Sequence, residues 1–223
     1  MLSFFKDYKY FGIALLILSI IIISIFYNIL KVDKALPIYQ PANVNYELVD
    51  SSLIDKRKYH TISDFNLINQ NGEIITEKNY ENKIYVADFF FTTCQTICPI
   101  MTNHMYQIQN QTLNDDEVLL LSYTVTPEID SVPVLKKYAK DKGVIDKKWN
   151  LVTGDKKQIY DLARKSYLAV KTSGAGDAYD MIHTENFMLI DKKRQIRGYY
   201  DGTKTEDIER LLEDIKTLKK EYQ

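Results

Sequence analysis

The apolar positions divide this chain into two parts. Residues 1–10 form a short polar tail containing Lys6 and Lys9, and Phe11 to Leu30 is then almost wholly apolar, broken only by Gly12, two serines, Tyr27 and Asn28. About twenty apolar residues at 1.5 Å each span the hydrocarbon core of a bilayer, so residues 11–30 are expected to form a single transmembrane helix. No small-x-small cleavage site follows the run, and no cysteine does, which argues against both a cleaved signal peptide and a lipid anchor. Residues 31–58, with Pro37 and Pro41, read as a tether, and residues 59–223 as one globular domain.

Beyond Tyr59 the pattern alternates between strand-like and helix-like segments. Thr61 to Ile68 and Glu73 to Thr76 flank Asn69-Gln70-Asn71-Gly72, a hairpin signal. Lys83 to Phe91 is a continuous β-prone run, as a central strand covered on both faces requires. Pro99 suits the first turn of a helix running through Met101, Met105 and Ile108 to about Gln111. Val118 to Val125 predicts the next strand, Val134 to Lys142 a helix, and Trp149 to Thr153 a short strand. Asp155 is placed to cap a helix reaching Leu168. After a glycine-rich loop, Ser173 to Asp177, a hairpin is expected over Phe187–Asp191 and Gln195–Tyr200, then an amphipathic helix from Glu206 to about Tyr222. This order predicts an α/β domain of thioredoxin type with an N-terminal β-hairpin.

Charge changes the picture little. The chain has 29 Lys and Arg against 30 Asp and Glu, a formal net charge of −1, which gives no footprint for nucleic acid. Lys6 and Lys9 nearly balance Lys31 and Lys34 across the apolar run, so the short tail decides the orientation. It favours leaving the N-terminus in the cytoplasm of a bacterium and the domain on the periplasmic or outer side. Thiols there tend towards oxidation.

The chemistry lies in the only two cysteines, Cys94 and Cys98, at the end of the central strand and the start of a helix. Open sheets usually place their sites there. The unpaired N–H groups and dipole of the helix start favour a thiolate at Cys98. Two thiols with three residues between them can share a metal ion or close a disulfide.

Of the three histidines, His60 reads as a surface residue, and His104 points about 120° away from Cys98 on the same helix. His183 precedes the strand Phe187–Asp191, and in a thioredoxin-like fold that position faces the cysteine motif. Thiol-disulfide oxidoreductases of this fold carry a cis-proline there, whereas this chain has no proline after Pro133. Two thiolates and one imidazole suit copper, particularly Cu(I), better than zinc, which prefers four ligands. Met101 and Met105, at i and i+4 on the helix, read as core.

The run from Ala87 to Thr102, which contains Thr92-Thr93-Cys94-Gln95-Thr96-Ile97-Cys98-Pro99, resembles the signature of the Sco/SenC family. His183 in Met181-Ile182-His183-Thr184 is similar to that family's third copper ligand. Ser122 to Pro133 is similar to its Ser-Val-Asp-Pro segment, with Thr126 where an aspartate is common. The resemblance covers about Thr61 to the C-terminus. It implies a membrane-anchored copper-binding protein that helps metallate the copper A centre of cytochrome c oxidase. One copper per chain, Cu(I) or Cu(II), would be held by Cys94, Cys98 and His183, and the partner would be the oxidase subunit carrying that centre. Thioredoxins have a buried acid at the interval of Asp88, six residues before Cys94, and here it would orient a ligand or accept a thiol proton; the alternative is an acid at a strand end hydrogen-bonded to backbone.

Three functions follow from these residues. The first is a copper metallochaperone, a binding and transfer protein rather than an enzyme. The second is a thiol-disulfide oxidoreductase using a redox-active Cys94–Cys98 disulfide, and the third is a peroxidase. No residue pattern marks a peroxide pocket.

Overall fold

The computed structural model describes residues 8–30, 35–44, 53, 60–170 and 182–223. The glycine-rich loop Ser173–Asp177 and most of the expected tether lie outside these. The chain falls into two units, Met1–Ala35 and Leu36–Gln223. The first contains helix α1 (Lys9–Leu30), which is long and apolar enough to cross a membrane.

The second unit is built on one seven-stranded sheet. Its strands are β1 (Asn66–Asn69), β2 (Ile74–Thr76), β3 (Ile84–Phe90), β4 (Val118–Thr124), β5 (Trp149–Thr153), β6 (Asn186–Ile190) and β7 (Ile196–Asp201), in the spatial order β2-β1-β5-β4-β3-β6-β7. The central strands β3, β4 and β5 are parallel, while β1 pairs with β5 and β6 pairs with β3 antiparallel. Every residue of β3 is buried, which explains its unbroken apolar sequence.

The β1–β2 hairpin forms where Asn-Gly predicts it. The Asn69 carboxamide oxygen accepts from the backbone N–H groups of Asn71 and Glu73, and Gly72 takes the positive φ of +80° that the turn demands.

Helices α2 (Cys98–Gln111), α3 (Val132–Lys142) and α5 (Thr205–Lys220) bury their apolar stripes in one core with Ile84, Val86, Leu120 and Leu189. Met101 and Met105 are fully buried in it, as their spacing predicts. A second core is aromatic, built on Phe65, Tyr80, Tyr85, Phe89, Tyr123 and Tyr167. Its buried hydroxyls satisfy one another: Tyr167 lies 3.2 Å from the Tyr85 hydroxyl and 2.9 Å from that of Tyr123.

Four expectations differ from the structure. Residues 61–65 form no strand, and β1 begins only at Asn66. Asp155 caps α4 (Lys156–Asp161) by accepting from the Gln158 N–H at 2.7 Å, but the α-helix then gives way to a π turn over Leu162–Ser166. It stops before Leu168, whose φ of +49° a helix cannot accommodate.

His60 is not a surface residue. It is buried, with Nε2 2.7 Å from the Ser166 carbonyl and its own N–H donating to Gln40 Oε1. A lone polar residue before a strand carries no signal of such a partner.

Residues 36–40 of the expected tether pack on the domain. Tyr39 bridges to Ile196, and the Leu36 N–H donates to Glu221 Oε1 at 2.7 Å. Arg197, nearly buried, donates to the carbonyls of Leu36 and Pro37 and pairs with Asp191 and Glu221. A guanidinium withdrawn from water needs all these acceptors, and the tether supplies two of them.

Candidate metal centre

The parallel ladder between β3 and β4 runs to Phe90 opposite Thr124, and the chain then leaves the sheet through Phe91-Thr92-Thr93 into the cysteine motif. Pro99 sits in the first turn of α2, where its missing N–H removes no helical hydrogen bond. Cys98 is the first residue of that helix and is buried; Cys94 is half-buried in the loop before it.

The N–H of Cys98 lies 3.5 Å from Cys94 Sγ, and the Thr96 hydroxyl lies 3.6 Å from the same sulfur. The helix start therefore serves the other thiol, not the one expected from sequence. Burial works against ionisation of Cys94, but hydrogen bonds from Cys98 and Thr96 outweigh it and lower its pKa to about 7. Burial pushes Cys98 up to about 12, reinforced by its hydrogen bond to Cys94. The reason is geometric: a residue at the first helical position cannot turn its side chain onto its own N–H, whereas a sulfur one turn earlier can receive it.

His183 is exposed, just before β6. Running the β3–β6 register onward brings it level with Thr92. Its ring meets that of Phe91 edge to face, with centroids 5.8 Å apart. Phe91 is also tied to the cysteine loop, since its carbonyl accepts from the Cys94 N–H at 3.3 Å. One aromatic residue thus links the loop that carries Cys94 to His183. Among the described residues, however, no three His, Cys, Asp or Glu side chains are gathered closely enough to hold an ion. His104 is engaged elsewhere, with Nδ1 2.7 Å from the Gly202 carbonyl.

Asp88 is buried in β3 and accepts a hydrogen bond from the Ser122 hydroxyl, which in turn accepts from Trp149 Nε1 at 2.8 Å. Burial raises its pKa to about 7, the serine offsetting only part of that rise.

Sequence reasoning missed Asp130, Ser122 and Trp149 as partners of this region. Asp130 is fully buried and accepts from the Thr92 N–H at 3.1 Å, the Thr92 hydroxyl at 2.5 Å and the hydroxyls of Thr124 and Thr126. The available signal was a pair of acids, Glu128 and Asp130, standing between Pro127 and Pro133.

A thioredoxin-like α/β domain with paired, inequivalent thiols at a helix start, and a histidine one ring away, defines a class of metal-binding or redox proteins. Residues 55–220 match the SCO1/SenC family profile, and the chain belongs to that family. The SCO1 protein homolog of Bacillus subtilis is 29% identical over 160 residues, covering 71% of this chain and 82% of the relative. The structure of BsSco, described as a member of the Sco family of cytochrome c oxidase assembly proteins with a disulfide switch, superposes with a TM-score of 0.61. It is 28% identical and covers 71% of this chain and 93% of that one. Arabidopsis thaliana ScoI, solved with copper bound, superposes with a TM-score of 0.56 at 26% identity, covering 71% of this chain and 98% of that one.

Proposed function

We propose that this protein is a membrane-anchored copper metallochaperone. Cys94, Cys98 and His183 take one copper ion as cargo, and the domain hands it to the copper A centre of cytochrome c oxidase. The observation that carries this reading is the place of Phe91, whose carbonyl accepts from the Cys94 N–H and whose ring meets that of His183. It supports bringing two soft sulfurs and an imidazole together at this edge of the sheet, a donor set suited to copper. Family membership and the copper-bound relative support the same choice. Loading requires His183 to close over the sulfurs, and an open three-ligand site favours transfer by ligand exchange. Helix α1 serves as the anchor in a bacterial cytoplasmic membrane, with the domain on the periplasmic or outer side.

An anaerobic Cu(I) titration of the reduced full-length protein in detergent tests this reading. One tightly held copper per chain, lost in Cys94→Ser, Cys98→Ser and His183→Ala alike, is expected; absence of tight binding in the unaltered protein contradicts it.

The split between the two thiols favours a second reading, thiol-disulfide exchange. The Cys94 thiolate would attack a disulfide on an exported protein, and Cys98 would then displace the mixed disulfide. The substrate leaves with two thiols, and Cys94 and Cys98 are left as a disulfide. Turnover that survives His183→Ala would favour this reading over the first.

A further inference from the structure

We propose that Asp130 is a positioning residue for the Cys94–Cys98 site, acting through Thr92 to fix the loop that carries Cys94. The inference deepens the copper-binding reading and rests on it for its metal arm, but not for its redox arm.

Asp130 lies in the turn after β4, away from the cysteines in sequence, and has no exposed surface. A carboxylate so placed is tolerated only when several donors surround it. Here four converge on it, and their origins are informative. Two come from Thr92, through its N–H and its hydroxyl. The other two come from Thr124, the last residue of β4, and from Thr126. Its own N–H donates to the Thr126 carbonyl at 2.9 Å, so the turn presenting the carboxylate is itself closed.

The sheet ladder alone does not hold Thr92. The β3–β4 pairing ends at Phe90, with the Val125 N–H donating to the Phe90 carbonyl as its last bond. Beyond that point the chain leaves the sheet, and the two bonds from Thr92 to Asp130 are its next attachment, to the turn that follows β4. Cys94 follows two residues later, and its sulfur lies 3.5 Å from the Cys98 N–H. Releasing Thr92 therefore frees the loop at the residue that sets where Cys94 points. The side chain of Thr92 touches neither sulfur, so its influence is one of placement.

Four full-length variants in detergent separate placement from simple stability: Asp130→Asn, Thr92→Val, Thr92→Ser and Thr124→Val. Two quantities are read. One is Cu(I) affinity by competition with a chromophoric chelator. The other is the midpoint potential of the Cys94–Cys98 dithiol in a metal-free glutathione buffer. Asp130→Asn and Thr92→Val are expected to weaken Cu(I) about ten-fold or more, the usual effect of loosening the support of a metal ligand. They should also make the potential more reducing, because a displaced Cys94 loses the donors that stabilise the reduced form. Thr92→Ser, which keeps the hydroxyl, should return both quantities to the unaltered values. Thr124→Val removes a bond to the same carboxylate that comes from β4 rather than from the cysteine loop, and should lower thermal stability while leaving both unchanged.

An unaltered potential in Thr92→Val, or an equal change in Thr124→Val, overturns the proposal. Should Asp130→Asn fail to fold, Thr92→Val against Thr92→Ser decides it. Should the unaltered protein bind no copper, the copper reading fails while the potential still decides the role of Asp130.

Discussion

The N–H of Cys98 faces the sulfur of Cys94 across 3.5 Å, so the start of helix α2 stabilises its neighbour's thiolate rather than its own. This makes the two thiols chemically unlike, although they are only four residues apart.

In the metal-free reduced protein, alkylation should therefore be selective. Near pH 7.5 iodoacetamide should modify Cys94 well before Cys98, and the Cys94 rate should rise through a pH of about 7. Cys98, with its pKa pushed up to about 12 by burial, should stay protected until far higher pH. Mass spectrometry of the peptide bearing both residues, sampled over time and pH, reads the order directly. Equal labelling of the two would refute the asymmetry.

Asp88 should make stability depend on pH. An acid whose folded pKa, about 7, lies above its unfolded value of 3.8 contributes fully below pH 4 and loses that contribution as pH rises towards and through 7. Asp88→Asn removes the group. The stability of the variant relative to the unaltered protein should thus improve by up to roughly 4 kcal/mol between pH 4 and pH 8. Denaturant unfolding across that range checks it, and a gap that stays constant with pH would rule out a buried, titrating Asp88.

Much of this arrangement was legible in the sequence because it follows from local rules. The unbroken apolar run of β3, the Asn-Gly turn at Gly72 and the proline after Cys98 each fixed an element close to its observed bounds. Trp149–Thr153 matched residue for residue. What stayed hidden depends on contacts between distant segments. The partners of Asp130 lie on two different strand exits, and the burial of His60 depends on Ser166, more than a hundred residues away. The thiol assignment failed for a different reason. Spacing places Cys98 at the helix start correctly, but only geometry shows which sulfur its N–H reaches.

The docking of residues 36–40 shows the same dependence. Arg197→Leu should destabilise the domain by about 3–5 kcal/mol, since it leaves Asp191 and Glu221 without their buried partner. It should also expose the chain around Leu36 to protease, because two of the bonds holding that segment come from Arg197. Chemical denaturation and limited proteolysis measure the two effects. A loss of stability with unchanged cleavage near Leu36 would mean that Tyr39 and Glu221 hold the segment unaided.

X-ray absorption at the copper edge of the Cu(I)-loaded full-length protein, beside His183→Ala, tests the copper site most directly. The account predicts two sulfur scatterers and one nitrogen scatterer around a three-coordinate ion, with the nitrogen missing in the variant. A site of sulfur alone, or a nitrogen shell that persists without His183, would contradict it.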